Sequence, residues 1–102
     1  MDLPRGFDAI LHPPARLQIA AVLANVDTAE FAKLRELVGV SDSVLSKHLS
    51  ALTEAGHISL RKVASDGRQR TWASLTRSGR TAFKAHVVAL QKIVEGAARA
   101  AE

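Results

Sequence analysis

The stretch Ser41-Asp42-Ser43-Val44-Leu45-Ser46-Lys47-His48-Leu49-Ser50-Ala51-Leu52-Thr53-Glu54-Ala55-Gly56 decides how the rest of the chain is read. Serine at position 41 is a strong helix N-cap, because its hydroxyl can accept a bond from an unpaired first-turn N–H. Glycine at position 56 is a strong stop, because it enters the left-handed region without steric cost. Between them Leu45, Leu49 and Leu52 stand at i, i+4 and i+7, one narrow apolar stripe. Away from the stripe lie Ser43, Ser46, Lys47 and Ser50, and no acid follows Asp42 until Glu54. The pattern predicts a helix with one buried edge and a small, weakly basic outer face that fits close against an acidic groove.

Upstream, Leu34, Leu37 and Val38 give a second helix an inward face, and Gly39 ends it. Two helices joined by about three residues with a glycine at the corner form a helix-turn-helix. The start of the second helix is open. Asp27-Thr28-Ala29-Glu30 reads as a capping box; alternatively Glu30-Phe31 is a very short strand and the helix begins at Ala32. Pro13 and Pro14 suit a first helical turn. They predict a helix from about Pro14 to Asn25, with Leu17, Ala20, Ala21, Leu23 and Ala24 facing the core. The first dozen residues read as an extended arm with a short helical piece near Asp8–Leu11.

Downstream of Gly56 the period changes to two. Ile58–Val63 and Arg70–Leu75 alternate, and Asp66-Gly67 lies between them, a strong signal for a type I′ hairpin turn. With 66 and 67 at the corner, 63 faces 70, 61 faces 72, 60 faces 73 and 58 faces 75. That register puts Ile58, Leu60, Ala73 and Leu75 on one inward face. Arg61 and Trp72 become neighbours on the other, within reach of a cation–π contact. Thr76 is the next cap, and a long helix is expected from about Arg77 to Ala100. Phe83, Val87, Leu90, Val94, Ala97 and Ala101 recur at spacings of 4 and 3, a coiled-coil-like seam. Gly96 weakens its end, so fraying is expected after about Val94.

The chain of 102 residues suits one domain with a modest core that dimerisation would help. Its net charge of +4 is unevenly spread. Residues 1–32 carry two cations and four acids, residues 33–80 nine and four, and residues 81–102 three and two. The basic excess surrounds the opening helix, as expected of a nucleic-acid binder. Cysteine is absent, which excludes disulfides and thiolate metal sites and fits the cytoplasm. No secretory signal or membrane span is visible. No phosphate loop, nucleophile–base pattern or carboxylate pair suggests an enzyme.

The order helix, helix, recognition helix, hairpin wing, long helix resembles the winged helix-turn-helix transcriptional regulators of bacteria and archaea. Leu11-His12-Pro13 with Arg16, and Ser46-Lys47-His48-Leu49 followed by Leu52 and Ala55-Gly56, are similar to the ArsR group. Asp66-Gly67-Arg68, then Leu75-Thr76 and Gly79, is similar to the wing and exit of the MarR group. Residues 28–34 lack the cysteines of metal-sensing ArsR proteins, and the chain is shorter than a full MarR protein. The resemblance is therefore to short MarR/ArsR-like regulators. It implies a mainly α fold with a small β-hairpin wing (α+β), arranged as an arm (1–12), a winged-helix core (13–76) and a dimerisation helix (77–102). It also implies a homodimer that reads a palindromic operator on double-stranded DNA, with repression as the expected mode.

In that arrangement Ser43, Val44, Ser46 and Lys47 meet base edges, with Ser50 further along. Ser41 and the first-turn amides suit a phosphate. Arg68 and Arg70 on the wing lie along phosphates or enter the minor groove. Lys33, Arg61, Lys62 and Thr71 are candidate phosphate contacts. Val87, Leu90 and Val94 are expected at the dimer interface. Phe7, Ile10, Leu11 and Phe83 could line an effector pocket, the effector being unknown, but are better read as dimer core. Trp72 is expected to brace the wing. His48 is expected at the base of the recognition helix or at a phosphate; His12, His57 and His86 are read as structural or solvated. No cofactor or metal is expected. The rival function is a winged helix used for protein–protein assembly, which requires exposed apolar residues on the outer face of Asp42–Ala55.

Overall fold

A computed structural model of the chain describes residues 2–102; Met1, the first residue of the expected arm, lies outside them. The elements are α1 (Pro14–Leu23), β1 (Ala29–Glu30), α2 (Phe31–Val38), α3 (Asp42–Glu54), β2 (Ile58–Ser65), β3 (Arg68–Leu75) and α4 (Arg77–Ala100). The fold is a winged helix, four helices and a three-stranded antiparallel sheet with the order β1-β3-β2.

The helix α3 forms as its sequence dictates. Ser41 caps it by accepting a bond from the Val44 amide, and Gly56 adopts φ +79 just after its end. Leu45, Leu49 and Leu52 are buried. They meet Ile19 and Leu23 of α1, Leu34 of α2 and Ile58 of β2 in one core. Gly39 turns the chain at φ +73 between α2 and α3. The hairpin register is the expected one, with Val63 opposite Arg70, Arg61 opposite Trp72 and Ile58 opposite Leu75. Asp66 and Gly67 both carry positive φ, 52° and 75°, as a type I′ turn demands.

Several expectations are corrected. α1 ends at Leu23 rather than Asn25, and Ile19, absent from the expected core face, is wholly buried. Arg80 of α4 donates to the Ala24 carbonyl just past the end of α1, at 3.0 Å, satisfying a group that the short helix leaves open. The chain near Asp8–Leu11 is a turn, not a helix, and the Asp8 carboxylate accepts the Ile10 and Leu11 amides. The strand alternative holds at the start of α2, displaced by one residue to Ala29–Glu30, where it pairs with Ala73 and Trp72 of β3. Glu30 makes no side-chain cap.

Leu37 is half exposed rather than inward. Leu60 is also exposed, although Ile58 and Ala73 on the same sheet face are buried. β2 is an edge strand, and Leu60 lines an open notch beside α3 instead of entering the core. Arg61 and Trp72 face each other in register but make no cation–π contact among the described residues. α4 continues through Gly96 to Ala100 instead of fraying. One glycine costs only about 1 kcal/mol of helix propensity, too little to stop a long alanine-rich run.

Candidate nucleic-acid interface

The outer face of α3 is polar and open. Ser43, Ser46, Lys47 and Ser50 are exposed, and Val44 is the one large apolar side chain exposed on this helix. The Ser41 hydroxyl accepts the Val44 amide at 3.3 Å and lies 3.3 Å from the Ser43 hydroxyl. Its cap role therefore takes one of its two acceptor positions. Arg35 of α2 donates to Asp42 at 2.7 Å across the corner, tying the two helices together at the surface. Asp42 holds the Arg35 guanidinium above its ordinary pKa by hydrogen bond and charge.

The wing stands beside this helix. Ser46, Leu49 and Ser50 of α3, Leu60 and Lys62 of β2, Thr71 of β3 and Phe31 of α2 line one open notch. The structure thus brings together Ser46, Ser50, Lys62 and Thr71, all expected to meet DNA. Phe31 and Leu60 join them as apolar members that were not among the expected DNA contacts. Arg61 alternates to the opposite face of the hairpin from Lys62 and stands outside the notch. A second cleft, lined by Glu30, Ala32, Arg68 and Arg70 among others, lies between the wing and the start of α2. Lys33 is exposed in the first turn of α2.

Arg70 is not a free cation. Its guanidinium bonds Glu30 at 2.9 Å and its Nε is buried without a partner among the described residues. Arg68 is exposed at the hairpin turn, the better placed of the two to reach a phosphate. His48 sits at the inner side of α3, where Arg16 Nε donates to its Nδ1 at 3.1 Å. Burial and then the Arg16 charge hold its pKa below the ordinary histidine value.

Of the residues expected at a dimer interface, Leu11 is misassigned: it is wholly buried in the subunit core. Phe7 and Phe83 are half-buried, Phe7 against the His12 and His86 rings, each at 5.0 Å, and Phe83 against the core. Ile10 is exposed. Val87, Leu90 and Val94 line an open apolar groove on α4 with Gln91 and Glu95, and Val94 is 68% exposed. Among the described residues, no three His, Asp or Glu side chains converge as a metal site, and no helix is long and apolar enough to cross a membrane.

A helix-turn-helix with its outer helix open beside a basic β-hairpin defines a winged helix. The winged helix DNA-binding domain family matches residues 15–94, and the chain belongs to that family. An uncharacterized protein of Methanocaldococcus jannaschii is 33% identical over 78 residues, covering 76% of this chain and 85% of the relative. A transcriptional regulator homologue from Pyrococcus horikoshii superposes with a TM-score of 0.79 at 28% identity, over 85% of this chain and 86% of that one. The PcaV transcriptional regulator of Streptomyces coelicolor, solved with its natural ligand, shares the fold alone, with a TM-score of 0.70 at 18% identity over 91% of this chain and 62% of that one. The protein is a DNA-binding regulator of the winged helix class.

Proposed function

We propose that the protein is a cytoplasmic, homodimeric, sequence-specific regulator without enzymatic activity, a repressor in mode, reading a palindromic operator on double-stranded DNA. Residues 13–76 form the reading head, residues 77–102 the dimerisation helix and residues 1–12 an arm, whose Asp8 bonds to both. The carrying observation is the outer face of α3, where Ser43 and Lys47 are exposed and Ser46 and Ser50 line a notch shared with Lys62 and Thr71 of the wing. Small hydroxyls let the helix backbone approach the groove floor, and the cations meet the phosphates on either side. Ser43, Val44, Ser46 and Lys47 face bases; Lys33, Lys62, Arg68 and Thr71 face phosphates. Arg61, on the far face of the wing, has a lesser part, and Arg70 shapes the wing through Glu30.

The groove of half-buried Val87 and Leu90 and exposed Val94 supports a dimer along α4, because an open apolar groove on a projecting helix is covered by pairing with its copy. Two-fold symmetry then places two recognition helices roughly 34–36 Å apart. The assembly-module alternative requires an apolar outer face on α3, and Val44 alone does not make one. Selection of bound sequences from random duplex DNA tests the proposal. An enriched inverted repeat is expected; a pool that stays random while the protein remains folded would overturn it.

A further inference from the structure

Asp8, His57 and His86 come from the arm, the hairpin root and α4, and meet in one hydrogen-bonded chain. The Asp8 amide donates to His86 Nδ1 at 2.9 Å. A backbone N–H can only donate, so Nδ1 carries no proton and His86 is the neutral tautomer protonated at Nε2. The ring is wholly buried, and Nε2 has no partner among the described residues. The Phe7 and His12 rings pack against it at 5.0 and 5.5 Å. Asp8 Oδ1 accepts the Ile10 and Leu11 amides at 2.9 and 3.2 Å, and Oδ2 meets His57 Nε2 at 2.9 Å. The titratable groups facing His86 are therefore Asp8 and His12 from the arm and, one bond further, His57 from the hairpin root.

His57 is where the reading head joins α4. Its amide donates to Leu52 of the recognition helix at 2.9 Å, and its carbonyl accepts the Thr76 amide at 3.0 Å and the Thr76 hydroxyl at 3.2 Å. Asp8 thus connects the end of α3 and the start of the wing to the middle of the long helix.

We propose that Asp8, His57 and His86 form a proton-operated latch that holds α4 at a fixed angle to the reading head, and that a proton on His86 Nδ1 opens it. The proton has only Nδ1 to take, and once there it points an N–H at the Asp8 N–H. That bond breaks, the arm or the ring moves, and the Asp8 bridge to His57 moves with it. Burial, then the nearby His12, holds His86 below the ordinary histidine value, against the opposing pull of Asp8. The folded chain thus binds fewer protons than the unfolded one in mild acid. The latch is fully closed above about pH 6.5 and is lost as the pH falls through the lowered value.

The functional consequence rests on the dimeric reading above: the angle of α4 sets the distance between recognition helices, so an open latch weakens binding to an operator of fixed spacing. Simple charge predicts the reverse, since protonated histidines tighten phosphate binding.

The test measures affinity of the full chain for its selected operator at constant ionic strength, at about pH 7.5 and about pH 5.5. Wild type is expected to lose about tenfold in acid. His86→Asn, whose side-chain oxygen replaces Nδ1 as acceptor and does not titrate, is expected to stay within about twofold. His48→Asn, which removes the other histidine with a bonded Nδ1, is expected to respond like wild type. Tighter wild-type binding in acid, or an undiminished acid loss in folded His86→Asn, overturns the latch. If His86→Asn does not fold, nitrogen NMR of wild-type His86 decides. Protonation of Nδ1 together with loss of Asp8 amide protection supports the latch, and protonation without that loss overturns it. The NMR readout needs no DNA. Failure to bind any duplex at about pH 7.5 would therefore count against the regulator proposal alone.

Discussion

Gly79 has no room for a side chain: a Cβ there would stand 1.9 Å from the His57 carbonyl oxygen. Both partners are backbone, so neither yields as a flexible side chain would. Gly79→Ala is expected to cost about 1–3 kcal/mol by overpacking, read as a lowered melting temperature. Two other residues test the DNA face. Lys47→Ala and Arg68→Ala are each expected to weaken operator binding by about 1–3 kcal/mol with unchanged melting, Arg68→Ala also lowering the salt dependence. Wild-type affinity for both, at low and high salt, would remove these residues from the interface. Arg70 is a poorer probe, because its loss also leaves Glu30 without its partner. The Ser41 cap and the Gly39 and Gly67 turns were legible in the sequence, since each acts on its immediate neighbours. The Glu30–Arg70 pair spans 40 positions and follows only once β1 lies beside β3.

At the scale of elements, the hairpin was readable to the residue because its turn chemistry sets its register. Replacing Asp66-Gly67 by Ala-Ala puts a new Cβ into left-handed backbone at Gly67, at about 1–2 kcal/mol, and removes the aspartate that tolerates that region at position 66. Weaker operator binding is expected with the helical circular dichroism intact; unchanged binding would show that the wing geometry does not matter to DNA. β1 was only one of two options, since two residues carry no period, and its evidence is the pairing of Ala29 with Ala73. Leu60 and Leu37 misled for a related reason. Alternation and helical spacing give a side chain's direction, not whether another element reaches far enough to cover it.

The whole molecule measures 60 × 26 × 21 Å, and the long axis fits a 24-residue helix, about 36 Å at 1.5 Å per residue, extending past the reading head. The seam along α4 was visible as spacing, and the structure adds that Val87, Leu90 and Val94 line an open groove. Leu90→Glu is expected to give monomers by light scattering and to lower operator affinity, with secondary structure retained. A dimer of unchanged mass would place the interface elsewhere. Leu11 was misread at this scale. The arm's fold-back places it under the subunit's own surface, and no local pattern records that return.

The arm's return has a kinetic side. The Asp8 amide and His86 Nδ1 are 78 positions apart, whereas the two strands of the wing close around a two-residue turn. Closing so long a loop costs more chain entropy and comes slowly, so local contacts are expected to form first. Refolding from denaturant is then expected to show Trp72 fluorescence recovering in an early phase and the Asp8 amide gaining exchange protection in a later one. A folding intermediate with a finished head and an undocked arm would expose the faces of α4 that the arm covers, which makes it the species most prone to pair wrongly with its copies at high concentration.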